Sequence, residues 1–178
     1  MNPFESGARK LIPAVLIYVK RGDSVLMIHR VGKDGSARAG DFHSGKWNGL
    51  GGKFEAGESP WAAARRELME ESGLSISERD FRCLGVLQFP DFKPAKSEDW
   101  LCYVFVAALN PSEPAPLLHE TSEGSLHWVP SGELLDLNIW SGDRHFIPLV
   151  LREEPFLGTI WYENGEAVRH ELRPISRR

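Results

Sequence analysis

One stretch of the chain constrains its fold more than any other, because it joins a glycine-rich loop to a helix with clear ends. It reads GKFEAGESPWAAARRELMEESGL and runs from Gly52 to Leu74. Ser59 is a good N-cap, and Pro60 suits the first helical position, where its missing N–H would be unpaired anyway. Gly73 supplies the stop, since glycine readily adopts the left-handed conformation that ends many helices. The sequence therefore predicts a helix that begins at Pro60 and stops at Gly73.

Three glutamates crowd the last turns of this helix. Glu67 and Glu71 are four residues apart and stack on one face, whereas Glu70 stands further round toward solvent. Carboxylates near a helix C-terminus repel one another and oppose the helix dipole, so local stability does not explain them. A divalent cation does, because Mg²⁺ and Mn²⁺ prefer oxygen ligands and Mg²⁺ takes others from substrate phosphates. A separate, largely apolar stripe that can dock on a sheet consists of Trp61, Ala64, Leu68 and Ser72.

The ordinary alternative is a solvated helix face, which is what most runs of charge form. That alternative leaves the flanking glycines unexplained. Gly51 and Gly52 precede the helix and Gly73 follows it, and glycine permits a sharp turn or a close approach to a ligand. The fixed spacing of the whole string favours a metal site.

The length and net charge of the chain limit the number of domains and the class of ligand. The 178 residues suit a single domain, with residues 1–10 as a loose N-terminal segment. The net charge of 21 − 25 = −4 gives no general basic field for long nucleic acid or an anionic membrane, which favours a small ligand. The longest apolar runs are strand-sized and no signal segment opens the chain, so a cytoplasmic protein is expected. Cys83 and Cys102 are expected to be reduced, buried thiols. The number of subunits is left open.

Strand-like runs outnumber helical ones along the chain. Because the helices come singly between strands, an α/β fold is expected, with helices on both faces of a mixed sheet. The predicted strands are 11–19, 24–31, 81–89, 100–109, 126–129, 156–162 and 166–172, and the further helices are 131–135 and 143–153.

Three connections carry candidate site residues. Residues 32–46 lack periodicity and are predicted to form a lid before the glycine-rich loop, with His43 as a phosphate contact or a solvated histidine. Residues 90–98 are predicted to be a polar loop. Residues 111–125 contain Glu120 and Glu123, either of which reaches the metal if the next strand lies beside the helix. Arg30 is either exposed at the end of a strand or provides a cation for a phosphate. His29 is expected to be exposed at the end of the strand.

The string from Gly52 resembles the signature of the Nudix hydrolases, Gly-x5-Glu-x7-Arg-Glu-aliphatic-x-Glu-Glu-x-Gly-aliphatic, at every fixed position. The resemblance implies an α/β/α sandwich with a mixed, largely antiparallel sheet. It also implies Mg²⁺-dependent hydrolysis of nucleoside diphosphates linked to another group, with Mn²⁺ as a substitute. Residues 1–178 would form a single Nudix domain.

The resemblance also assigns roles in the signature. Glu67, Glu70 and Glu71 would be metal ligands, and the Gly51 carbonyl and Glu123 would add further contacts. One of Glu70 and Glu123 would take the proton of the attacking water. The remaining signature residues would be structural or orienting: Gly52, Glu58, Arg66 and Gly73.

Two further stretches resemble one branch of the family, the enzymes that hydrolyse 8-oxo-dGTP and related oxidised purine nucleotides. They are residues 45–53, in which Lys53 is expected to contact the substrate, and residues 139–151 with the closing hairpin. By that similarity Asn48 would hydrogen-bond a purine base, Trp140 would stack on it and Asp143 would read its edge. The products would be a nucleoside monophosphate and pyrophosphate.

The chain departs from that branch at Gly142, where one of two adjacent acids is expected. The loss of one hydrogen-bonding carboxylate changes which base an enzyme prefers, so the sequence predicts the reaction better than it predicts the preferred base. The structural alternatives are that Trp140 is a core residue, Asp143 a helix N-cap and Asn48 a turn residue.

Two other functions also stay open. One is a Nudix pyrophosphatase acting on RNA 5′ ends, dinucleoside polyphosphates or nucleotide sugars, and the other is a catalytically silent binding module.

Overall fold

The computed structural model describes residues 2–31, 43–110, 121 and 123–175. Most of the predicted lid, Glu120 and the last three residues lie outside these ranges. Eight strands and two α-helices are described in chain order: β1 (Lys10–Arg21), β2 (Ser24–His29), β3 (Trp47–Asn48), α1 (Pro60–Ser72), β4 (Phe81–Lys93), β5 (Glu98–Leu109), β6 (Ser125–Pro130), α2 (Asp143–Arg152), β7 (Phe156–Glu163) and β8 (Glu166–Pro174). Short 3-10 turns span Glu78–Asp80, Pro94–Lys96 and Ser131–Asp136.

The strands form one mixed sheet. Its order is β3-β2-β1-β5-β4-β7-β8, and β6 pairs with β2 off this path. The β1–β5 and β4–β7 pairs are parallel, and the other described pairs are antiparallel. The expected mixed, largely antiparallel sheet is confirmed.

The two helices cover opposite faces of the sheet. Successive side chains of a strand point to opposite faces, so Ile17 joins the core beneath α1 whereas Tyr18 joins the core beneath α2. Leu68 of α1 is buried in the first core and Phe146 of α2 in the second. The α/β/α sandwich is therefore confirmed.

The predicted polar loop at 90–98 is wrong over its first half, because β4 continues to Lys93. The strand passes Asp91 with φ of 55° and the pairing register shifts there, so the extension is a bulged ladder. Asp91 N–H donates to the Asp99 carboxylate at 2.6 Å. Arg9 bridges Asp91 and Asp99, which fixes the bulge from the N-terminal segment.

Both cysteines are free thiols. Cys102 is buried and Cys83 is half-buried, and burial raises the pKa of both, to about 12 for Cys102. In the described ranges, no helix combines the length and apolar character needed to cross a membrane.

Candidate active site

The glycine-rich loop is pinned to β1 by backbone hydrogen bonds. Ile17 and Leu50 exchange N–H···O bonds of 2.7 and 3.0 Å, and Val15 N–H donates to the Gly52 carbonyl at 2.9 Å. Gly51 has φ of 135°, and a Cβ there would overlap the Val15 carbonyl. Only glycine lets the loop lie this close to the strand.

Helix α1 has the ends that the sequence predicted. The Ser59 hydroxyl accepts from Ala62 N–H at 3.1 Å, and Gly73, with φ of 73°, donates to the Met69 carbonyl. Leu68 packs on the sheet, which turns Glu67 and Glu71 toward the loop. Trp61, which the predicted apolar stripe included, is 39 % exposed and packs against Phe105 of the core in a T-shaped arrangement, with ring centroids 5.7 Å apart.

Arg66 ties the helix to the loop. Its guanidinium bonds both Glu58 oxygens at 2.7 and 2.8 Å, the Lys53 carbonyl at 2.9 Å, and Glu67 at 2.8 Å. The Arg66 pairing lowers the pKa of Glu58 to about 2, so this carboxylate stays ionised. Glu70 is more exposed and meets Arg66 at 3.1 Å, which agrees with its predicted position toward solvent.

Glu71 is the buried acid of the group. One carboxylate oxygen accepts from Gly51 N–H at 2.7 Å. The other is buried and has no hydrogen-bond partner among the described residues; its nearest cation is Arg30 at 3.9 Å. Burial raises the pKa of Glu71 to about 8, and the charges of Glu123 and Glu67 act in the same direction. An unpartnered buried carboxylate oxygen is costly unless a ligand satisfies it.

Glu67 lies directly over Gly52. A Cβ at Gly52 would come within 2.5 Å of the Glu67 carboxylate, so the absence of a side chain there makes a cradle for it. Burial raises the pKa of Glu67, and the Arg66 hydrogen bond opposes this.

Arg30 and Glu123 close the site from the opposite side. The Arg30 side chain is only 15 % exposed and forms an ion pair with Glu123, so Arg30 is not a free strand end. Glu123 reaches this position because Gly124, with φ of 156°, lies so close to the His29 carbonyl that a Cβ would overlap it. His29 itself stacks on Trp47, with ring centroids 4.4 Å apart.

The carboxylates fit a divalent cation by their chemistry. Arg66 and Arg30 pair with several of them, and no three His, Cys, Asp or Glu side chains of the described ranges converge as a formed metal site. The orphaned oxygen of Glu71 and the cradle beneath Glu67 offer anionic oxygen to a small, hard ion. Glu67 and Glu71 are therefore the side chains that could hold such an ion.

One cavity of about 370 Å³ joins this carboxylate loop to an aromatic end. Its volume lies within the range of small-molecule sites. Glu67 and Glu123 line it beside all five residues predicted to bind substrate, which are Arg30, Asn48, Lys53, Trp140 and Asp143.

The aromatic end contains residues that the sequence did not single out. The Phe92 ring lies 5.9 Å from Trp140, 5.6 Å from Trp100 and 5.4 Å from Tyr162. Phe92, Trp100 and Tyr162 come from β4, β5 and β7, and Trp140 comes from the connection before α2, so only the tertiary fold brings these rings together. Trp140 is largely buried and donates its indole N–H to His43 at 3.2 Å. The one sequence feature that could have indicated this aromatic cluster is the presence of aromatic residues on both sides of the β4–β5 turn.

Two polar side chains, Asn48 and Asp143, line the same cavity as these rings. Asp143 is 7 % exposed, in the first turn of α2, but its side chain does not cap the helix. The Asn48 side-chain NH₂ is buried and makes no hydrogen bond within the described part of the chain. Burial raises the pKa of Asp143 to about 7, although the charge of Lys46 lowers it.

Asp143→Asn is expected to remove a pH dependence of the free energy of unfolding. The carboxyl has an ordinary pKa of 3.8 and a folded-state value of about 7, so the folded state binds more protons between them. The stabilisation that comes from binding this proton is complete below about pH 4 and is lost as the pH rises through about 7. The free energy of unfolding changes over this range by an amount on the order of 4 kcal/mol. Urea unfolding of both proteins from about pH 4 to about pH 8 measures it. If the free energies of unfolding of the wild type and of Asp143→Asn changed in parallel with pH, the Asp143 carboxyl would have its ordinary pKa.

Comparisons with known proteins agree with this geometry. The model of the NUDIX domain matches residues 10–150. The "Oxidized purine nucleoside triphosphate hydrolase" of Danio rerio is 33 % identical over 135 residues, covering 75 % of this chain and 81 % of that protein. The Mus musculus protein of the same name is 28 % identical over the same shares. The "mMutator MutT protein from Bacillus halodurans" has a TM-score of 0.74 at 26 % identity, covering 90 % of this chain and 97 % of that one. The chain therefore belongs to the Nudix hydrolase family, as the string between Gly52 and Leu74 predicted.

Proposed function

We propose that the protein hydrolyses purine nucleoside triphosphates, oxidised ones such as 8-oxo-dGTP above all, to nucleoside monophosphate and pyrophosphate. The observation that carries this proposal is the single cavity that joins an aromatic end to the carboxylate loop. The names of the zebrafish and mouse relatives support the same substrate class. The role would be to clear damaged nucleotides from the cytoplasmic pool before they enter DNA.

The aromatic end suits a purine. Indole and phenyl rings bind a base through its faces, and polar groups at its edge discriminate by donor and acceptor pattern. Trp140 and Phe92 supply the rings, and Asn48 and Asp143 supply the polar groups. Asn48 has a buried NH₂ with donors to offer, which supports its assignment as a base contact.

The carboxylate end suits a triphosphate and its cation. Glu67, Glu71 and the Gly51 carbonyl would hold Mg²⁺, with Glu70 and Glu123 close enough to share the task. Bound there, Mg²⁺ would supply charge neutralisation for the phosphates and acidify water in the site. Mn²⁺ has the same ligand preference and would substitute.

The charged side chains around this end would position the phosphates. Arg30 lines the cavity beside Glu123, and Lys53 follows the glycine-rich loop. Arg30 would exchange its contact with Glu123 for a phosphate oxygen, because both are anionic acceptors for its guanidinium. The Glu123 carboxylate released in this way, or Glu70, would take the proton of the attacking water.

A substrate panel tests the proposal. The protein is incubated with 8-oxo-dGTP, dGTP, dATP, a dinucleoside polyphosphate, a nucleotide sugar and a triphosphorylated RNA end, each with Mg²⁺ and with EDTA. Turnover of purine nucleoside triphosphates to pyrophosphate, lost in EDTA, is the expected result. Turnover only of the sugar, dinucleotide or RNA substrates would replace this function with another Nudix pyrophosphatase activity. Failure to turn over any of them would favour a silent binding module.

A further inference from the structure

A side chain at Gly142 would compete with Tyr162 for the same space. A Cβ built on Gly142 would overlap the hydroxyl oxygen of Tyr162 and would lie 2.8 Å from its ring carbon Cζ and 2.9 Å from Ile160 Cγ2. The space beside Asp143 that a second acid would need is therefore filled by the Tyr162 phenol. The departure at Gly142 exchanges one polar group for another.

Tyr162 is held rigidly in this place. Its ring contacts Phe89, Phe92 and Trp140 at centroid distances of 6.1, 5.4 and 6.1 Å. A register shift in the β7–β8 pairing falls between Trp161 and Tyr162, at the point where Tyr162 enters the wall of the cavity. A side chain fixed by packing presents its polar atom with little loss of entropy on binding.

The hydroxyl of Tyr162 keeps its proton. Burial raises its pKa well above the ordinary value, and the charge of Asp143 raises it further. The protonated phenol therefore has an O–H to donate, and this donor requires an acceptor on the ligand.

We infer that Tyr162 is a specificity-determining residue that donates its O–H to the base and makes the site selective for 6-oxopurines over 6-aminopurines. The inference deepens the proposed function and rests on its placement of the base. A 6-oxopurine, 8-oxoguanine included, presents an acceptor at O6, whereas a 6-aminopurine carries an amino donor at that position. The buried NH₂ of Asn48 adds a second donor to the site, so an amino group there would face donors.

The test compares binding of dIMP and dAMP, which differ at position 6, by calorimetry without metal. The wild-type protein is expected to bind dIMP more tightly. In Tyr162→Phe, which keeps the ring, dIMP affinity should fall about tenfold while dAMP affinity changes less than about twofold, since one donated hydrogen bond is lost. Tyr103→Phe is the matched control, because Tyr103 packs on Phe54 with ring centroids 5.7 Å apart and does not itself line the cavity.

Steady-state hydrolysis of dITP and dATP supplies a second readout. Tyr162→Phe should raise KM for dITP about tenfold with little change in kcat, because the hydroxyl positions the base rather than the phosphates. An unchanged dIMP-to-dAMP ratio in a folded Tyr162→Phe protein would overturn the inference while leaving the proposed function intact. A ratio that falls as expected in a protein without triphosphatase activity would retain Tyr162 as the base reader and reject the proposed function.

Should Tyr162→Phe unfold, Gly142→Ala provides the second variant. Its Cβ displaces the Tyr162 hydroxyl without deleting it. The dIMP-to-dAMP ratio is expected to fall in this variant too, and a ratio equal to that of the wild type would overturn the inference.

Discussion

Glu67→Gln is expected to lower kcat by about 1,000-fold while the protein stays folded. Removing one charge from the cation site forfeits several kcal/mol of transition-state stabilisation, and about 4 kcal/mol corresponds to that factor. Glutamine has the same shape over the Gly52 cradle, so the packing of α1 is preserved. The loss should therefore appear in turnover and cation affinity but leave the melting temperature within a few degrees.

The measurements are kcat with saturating Mg²⁺ and calorimetric titration with Mn²⁺. Glu78→Gln is the matched control, because its side chain is exposed and its closest cation, Arg65, lies 3.7 Å away. That variant should behave like the wild type in both assays. Near-full activity in Glu67→Gln would remove Glu67 from the set of metal ligands.

Gly51→Ala is expected to destabilise the protein by about 3 kcal/mol, which is large for a single methyl group. Its backbone has φ of 135°, which disfavours any side chain, and the new Cβ would overlap the carbonyl of Val15. Either β1 or the loop must move, and movement of the loop would break the hydrogen bond from Gly51 N–H to Glu71. Activity should fall together with stability.

Gly57→Ala separates the cost of a positive φ from the cost of the overlap between a new Cβ and β1. Gly57 lies in the same loop with φ of 82°, but a Cβ there meets nothing within 4 Å. It should cost only about 1 kcal/mol, the penalty of a left-handed backbone for alanine. Urea unfolding midpoints of the two variants give the comparison. Equal midpoints would mean that the contact between Gly51 and β1 is unimportant.

The helix and the loop of the signature were predictable because their signals are local. Ser59, Pro60 and Gly73 act on backbone groups within a turn of themselves, and the structure confirms each of them. The position of Arg30 was not predictable. Its ion pair with Glu123 depends on a close contact between Gly124 and His29, residues far apart in the chain.

The aromatic end of the cavity escaped prediction for the same reason. Phe92 and Trp100 face each other only because β4 continues through Asp91 and pairs with β5 in a bulged register. Tyr162 joins them through the parallel pairing of β4 and β7. Sequence patterns identify strands but do not fix such registers, so the residues of the carboxylate loop were predictable and those of the aromatic end were not.

The bridge from Arg9 to Asp91 and Asp99 ties the aromatic end of the cavity to the N-terminal segment. The two aspartates lie 82 and 90 residues from Arg9 and are the immediate neighbours of Phe92 and Trp100. Arg9 lies just before residues 10–150, which match the family model. A substitution of Arg9 is therefore expected to loosen this end of the cavity while leaving the loop and helix between Gly52 and Leu74 unchanged.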